Sequence, residues 1–144
     1  MSFSLKKFGF AKTARRAARA ALLGVQMEAL VRKTAVRLEA DIKRRIIQLH
    51  IFDRGAYVGS WTIMQVPGVG YAVFSSIEHG PFQEYGTGKL GVMTYEQFSA
   101  DEELVTFDES WPGMMARPHV RPAAEQQKKV LERAGRMLVR RALR

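Results

Sequence analysis

The chain has 144 residues, 47% of them hydrophobic and none of them cysteine, which suits one compact domain with its own core and excludes a disordered chain, disulfides and thiolate zinc sites. Its formal charge of +9 is unevenly spread: residues 1–50 hold 12 Lys and Arg against 3 Asp and Glu, residues 51–116 hold 2 against 9, and residues 117–144 hold 9 against 2. Basic ends around an acidic middle suit nucleic acid or an anionic surface, and they suit equally a protein that meets copies of itself, because opposite patches on neighbours steer docking.

The first 24 residues are a basic stretch in which Phe3, Phe8 and Phe10 are interleaved with Lys6, Lys7, Lys12, Arg15, Arg16 and Arg19. From Met27 the apolar positions Leu30, Val31, Thr34, Leu38, Ile42, Ile46 and Leu49 recur in steps of three and four, which predicts a helix over 25–50. "TARRAARAALLG" before it is also rich in helix formers, so the open point is whether Gly24 interrupts one long rod. A continuous helix over 13–50 would be about 57 Å long, against a diameter under about 40 Å for a compact domain of this size. Residues 1–24 are therefore expected to be an appendage to a single domain over 25–144, either a separate arm or a segment that reaches out to a partner.

"YVGSWTIMQV" and "YAVFSSI", joined by "PGVG", predict an antiparallel hairpin. Residues 78–116 show no clear period; the acidic stretch "ADEELVTFDESWPG" is expected to be a long loop with one strand near Leu104 to Phe107, within an insert over 91–111. A last helix is predicted from Pro122 to about Leu143, with Ala123, Gln127, Val130, Leu131, Ala134, Leu138 and Ala142 on one face. The expected fold class is α+β: a long N-terminal and a C-terminal helix packed on a small antiparallel sheet, with an N-terminal arm and a long acidic loop.

Chemical readings fare poorly. "GTGKLG" lacks the Ser or Thr and the helix that must follow the lysine of a phosphate-binding loop. Gly86, Gly88 and Gly91 match a dinucleotide fingerprint in spacing alone. Ser75, Ser76, Glu78 and His79 are near neighbours along a strand end, where alternate side chains face opposite ways, so a nucleophilic triad is not expected. The acids Asp101, Glu102, Glu103, Asp108 and Glu109 read as a charged surface. The histidines His50, His79 and His119 stand too far apart in sequence for familiar ligand spacing, and neither a metal nor another cofactor is expected. No run of about 18 uncharged apolar residues spans a bilayer and no secretory signal opens the chain, so a soluble protein made in a cytoplasm, without a membrane partner, is expected. Two readings of the basic arm stand side by side: Lys and Arg clamp phosphates while Phe stacks on bases, or the arm anchors in an apolar groove of a neighbour.

Three segments in order carry a family resemblance. "DRGAYVGSW" resembles the Asp-x-Gly-x-Leu-x-x-Ser-Ile element of the gene-product-ten-like family of tail completion, or head-tail joining, proteins of tailed bacteriophages, matching at Asp53, Gly55 and Ser60, with Tyr57 and Trp61 where aliphatics are usual. "HGPFQEYGTG" is similar to that family's Tyr-Ala-x-Phe-x-Glu-Phe-Gly-Thr-Gly box through Phe82, Glu84, Gly86, Thr87 and Gly88, with Tyr85 replacing Phe and with His79 and Gly80 departing. "ARPHVRPAAE" resembles the Pro-Phe-Leu-Arg-Pro-Ala start of the final helix through Pro118, Arg121 and Pro122, with His119 in place of Phe. The resemblance spans residues 25–143 and leaves the arm and the acidic insert outside it.

The resemblance implies a structural role and no catalysis. The glycines of the box would permit positive φ and close backbone approach, Tyr85 would fill a core or interface pocket, Glu84 and Thr87 would hydrogen-bond exposed backbone amides around the turn, and Asp53 and Ser60 would form turns and caps. It further implies a homo-oligomeric ring, hexameric or dodecameric, in the virion neck, between head-completion proteins and the tail tube or its terminator, passing genomic DNA without reading its sequence. Before incorporation such a protein would reside in the host cytoplasm. On this reading the arm residues Phe3 to Arg19 grip an adjacent ring, and Asp101 to Glu109 line the channel or its rim. The rival reading is a basic nucleic-acid-binding domain.

Overall fold

A computed structural model of the protein describes residues 10–51, 55–91, 110 and 112–143. Helix α1 (Phe10–Gln48) is followed by a single helical turn α2 (Ala56–Gly59), the hairpin β1 (Trp61–Val66) and β2 (Gly70–Ser75), a short helix α3 (Gly80–Tyr85), a 3-10 turn (Gly88–Leu90) and helix α4 (Val120–Ala142). This is the expected α+β arrangement, with α1 packed against both strands and against α4.

Helix α1 runs through Gly24 without a break. A Cβ at Gly24 would meet nothing within 4 Å, so its cost there is only the backbone freedom of one exposed glycine, which the flanking Ala, Leu and Arg residues offset. Residues 10–24 thus continue the helix that begins the domain. At about 58 Å against about 34 Å, α1 is much longer than α4. The two run antiparallel: Gln127 Nε2 donates to Asp41 Oδ2 at 2.5 Å, a Cβ at Gly135 would lie 3.7 Å from the end of Met27, and Leu23 shares a groove with Leu138 and Ala142.

The predicted stripe faces inward, except that Leu49 is 38% exposed. The reason is the helix stop. His50 adopts φ 53°, His50 N–H reaches Ile47 O at 3.1 Å and Ile51 N–H reaches Ile46 O at 3.1 Å. That is a Schellman C-cap, and its characteristic apolar contact is supplied by Ile46 and Ile51, both in the core. Leu49 therefore turns outward while the following isoleucine turns in.

The strands pair antiparallel from Trp61 opposite Ser75 to Val66 opposite Gly70. The predicted first strand began too early, since Tyr57 to Gly59 are helical. Gly55 enters this turn at φ 80°, Gly59 N–H and Ser60 N–H bond to the carbonyls of Gly55 and Ala56, and Ser60 Oγ donates back to Tyr57 O at 2.8 Å. The glycine's left-handed conformation starts a helical turn that the β-propensity of Tyr57 and Val58 does not overcome. The core gathers Ile42, Ile46, Ile51, Tyr57, Trp61 and Ala123, with Leu38, Val58, Val73, Ile77 and Val120 packed around them.

The irregular region expected over 78–116 contains α3, with Pro81 in its first turn, and an isolated antiparallel bridge between Thr87 and Met114. The strand expected near Leu104 to Phe107 lies outside the described residues. Helix α4 begins two residues before the predicted Pro122, and its inward face includes Ala123 and Gln127, both buried. Among the described residues no helix is long and apolar enough to cross a membrane.

Candidate functional site

The three motif segments meet at the N-terminus of α4. The first N–H groups of any helix lack intrahelical acceptors, and here the cap residue, His119, gives no side-chain cap hydrogen bond. Glu84, on α3, supplies the acceptor from 35 residues away. Its Oε2 accepts His119 N–H at 2.7 Å and Val120 N–H at 2.9 Å, while Oε1 accepts Arg121 N–H at 3.0 Å and Arg121 Nε–H at 3.1 Å. The next residue is Pro122, which has no N–H to satisfy. One carboxylate thus serves every free amide of the helix start, at the positive end of the helix dipole. Burial alone would raise its pKa, but the hydrogen bonds from Val120, Arg121 and His119 outweigh burial and hold it below the ordinary carboxyl value.

His119, with 0% exposure, is the other half of the joint. Its Nδ1 lies 2.8 Å from the Arg117 carbonyl, which can only accept, so Nδ1 carries the proton. Its Nε2 and the Tyr57 hydroxyl, 2.6 Å apart, share a second hydrogen bond. Tyr57, also buried, is pushed up to about pKa 12 by burial and then by the nearby Glu84 charge, with Trp61 opposing in part. The Trp61 Nε1 is itself buried without a partner in hydrogen-bond geometry. The rings of Trp61 and His119 both stand edge-on to Tyr57, at 6.0 and 5.5 Å, and His79 lies tilted at 5.9 Å. Gly80 completes the packing: a Cβ there would come 3.2 Å from the Tyr57 hydroxyl. Tyr57, Trp61, His79, Gly80 and His119 therefore converge on one cluster.

The glycine box acts on the backbone. Gly86 sits at φ 73°, and a Cβ there would run into the carbonyl oxygen of Met114 and come within 2.7 Å of the Ala116 nitrogen. Thr87 N–H donates to Met114 O at 2.9 Å, and Met114 N–H is shared between Thr87 O and Thr87 Oγ1, each at 3.1 Å. Arg117 N–H adds a bond to Gln83 O at 2.8 Å. Tyr85 is half-buried, with the Arg121 guanidinium 4.7 Å above its ring. Together these contacts pin both ends of the acidic insert.

Glu84 and Thr87 do accept backbone amides, as expected, but the amides lie beyond the turn: Glu84 sits on a helix and caps a different one, and Thr87 pairs with Met114. Ser60 does cap its turn and also bonds Ser75 Oγ at 2.6 Å. Phe82 is half-buried, Gly88 opens the 3-10 turn, Pro118 and Arg121 are exposed, and Pro122 is half-buried. Arg15, Arg16 and Arg19 are exposed on α1. Asp53, the arm residues Phe3, Lys6, Lys7 and Phe8, and the acids Asp101 to Glu109 lie outside the described residues, as does the side chain of Phe10. Sequence reasoning missed the Tyr57–His119 pair. For the Glu84 cap the available signal was a helix start, "RPHVRP", with no capping side chain of its own, which requires an acceptor from elsewhere. Among the described residues no group of three or more His, Asp or Glu is placed to hold a metal ion.

No protein-family model, curated protein or solved structure matches the chain.

Proposed function

We propose that the protein is a structural component of the neck of a tailed-phage virion: copies close into a ring that joins head-completion proteins to the tail tube and surrounds the path of the DNA. The observation that carries this reading is the convergence just described. The segments that resemble the tail completion family are separated by 17 and 27 residues, yet their polar groups bond one another: Tyr57 from the first to His119 of the third, and Glu84 of the second to His119, Val120 and Arg121. Glu84 is 4% exposed and already accepts four hydrogen bonds, close to the capacity of a carboxylate, so its chemistry is that of a brace. Such a brace fixes the pitch of α4 against α1 and holds the insert's base, which is what a subunit needs to present fixed patches to its neighbours.

A second reading, a basic nucleic-acid-binding domain, is favoured by the exposure of Arg15, Arg16, Arg19, Lys128, Lys129, Arg133, Arg136, Arg140 and Arg141 along α1 and α4. Mass measurement of the purified chain, alone and with tail-tube or head-closure proteins, separates the two. The ring reading expects large complexes with those partners and at most weak duplex binding. Tight DNA binding that falls steeply with salt, without such complexes, would replace it by the second reading.

A further inference from the structure

Two adjoining grooves, of about 320 and 420 Å³, open where the N-terminal half of α1 lies against the end of α4. Leu23 and Ala142 line both, joined by Leu22 and Leu138 in one and by Leu143 in the other. Leu22 is 58% and Leu143 82% exposed, so the apolar floor continues onto open surface. The rim is basic: Arg16, Arg19 and Arg141 line the grooves, are exposed, and have no ion-pair partner among the described residues. An apolar floor with a basic rim fits a ligand carrying both acids and apolar side chains. A phosphate backbone offers the charge and nothing for the leucines.

The chain contains that ligand. Between Gly91 and Gly113, Glu96, Asp101, Glu102, Glu103, Asp108 and Glu109 alternate with Phe98, Leu104, Val105, Phe107 and Trp111, and no Lys or Arg occurs. It is too short to lie along the grooves of its own copy. Both ends are pinned at the Thr87–Met114 bridge, beside the start of α4, whereas the grooves lie at the other end, Ala142, about 33 Å along the helix axis. The 21 residues between Gly91 and Gly113 give an out-and-back reach of roughly 35–38 Å even fully extended, which brings at most the tip of the loop to the groove and leaves no length to lie along it. Asp108 and Glu109 are tethered within about 17 Å of Gly113.

We infer that the grooves between α1 and the end of α4 receive the acidic, apolar insert, residues 101–109, of a second copy of this chain. The contact joins two different patches, so it is head-to-tail and closes by rotation. This inference rests on the ring reading, and it puts the insert in the joint between copies in place of the channel wall or rim. Residues 1–9 are the poorer occupant, because Lys6 and Lys7 repeat the sign of the rim.

The test uses the full chain. A labelled peptide of residues 97–111 is expected to bind saturably, to lose at least tenfold in affinity on Arg19→Glu with Arg141→Glu, and to regain it when its acids are replaced by lysine. Because the chain has no cysteine, Glu102→Cys and Arg141→Cys chains, mixed and oxidised, are expected to cross-link at least tenfold more than Glu102→Cys with Arg37→Cys. Absent saturable binding, binding indifferent to the charge reversals, or cross-linking no better than the control overturns the inference. So does peptide binding that appears only after residues 1–9 are removed, which makes the arm the occupant, or displacement of the peptide by duplex DNA, which makes the occupant a nucleic acid. Assembly with neck proteins without the insert contact sinks this inference alone. An insert contact in a chain that never joins such proteins sinks the ring reading and leaves the contact standing.

Discussion

Replacing Glu84 isolates the brace. Glu84→Ala orphans three backbone N–H groups at once, and each buried orphan costs about 1–3 kcal/mol. Those of Val120 and Arg121 are only partly buried and regain some water, whereas that of His119 is buried. Arg121 is nearly half exposed, so its own ion pair adds little. The sum is about 3–5 kcal/mol, the range for removing one partner of a buried charged pair, out of a total of about 5–15 kcal/mol for a domain. Glu84→Gln keeps one acceptor but turns an amide NH₂ toward the remaining donors, and should cost about 2–3 kcal/mol. The pH dependence distinguishes the two roles of the group. Its pKa is depressed in the folded chain, so its contribution is complete above the ordinary value of 4.5 and is lost as the pH falls below that, through the folded value. Urea unfolding followed by the helix signal of circular dichroism, at neutral and at acid pH, measures both effects. A Glu84→Ala loss under about 1 kcal/mol, or a Glu84→Gln chain that loses as much stability on acidification as the parent, would show that the carboxylate does not hold α4.

Four further outcomes are expected. In a double-mutant cycle, Tyr57→Phe and His119→Phe each cost about 1–3 kcal/mol by stranding the other partner, and the double variant recovers about 1–2 kcal/mol of their sum; strict additivity would mean the 2.6 Å contact carries no energy. On alkaline titration one phenolate signal appears only near 12 and vanishes in Tyr57→Phe; because the folded pKa is raised, the stability tied to it is whole below 10.0 and is lost as the pH climbs toward 12. Gly86→Ala, which drives a Cβ into backbone at positive φ, lowers stability by at least about 3 kcal/mol in chemical denaturation, and a smaller loss would mean that the 86–116 contact is loose. Gly24→Ala raises the melting temperature, corresponding to about 0.5–1 kcal/mol, since the site is helical and open; a lower melting temperature would show that α1 breaks at this glycine in solution.

What the amino-acid sequence determined by itself were the features written in neighbouring residues. The three- and four-residue steps from Met27 to Ile46 made α1 amphipathic, the "PGVG" turn joined two β-rich runs, and the apolar period from Ala123 to Ala142 made α4, because side-chain direction repeats with the backbone's own period. Where a single local signal competed with propensity, the sequence was ambiguous: Gly55 turned Tyr57 and Val58 into a helical turn, and His50 ended α1 so that Leu49 faces out. Only the tertiary structure decided the site. That Glu84 caps a helix 35 residues away, that Tyr57 and His119, 62 residues apart, share one hydrogen bond, and that Gly86 lies against Met114 depend on the path of the whole chain. An unpaired amide or a buried hydroxyl requires a partner, but nothing in its own neighbourhood says which residue the fold will bring to it.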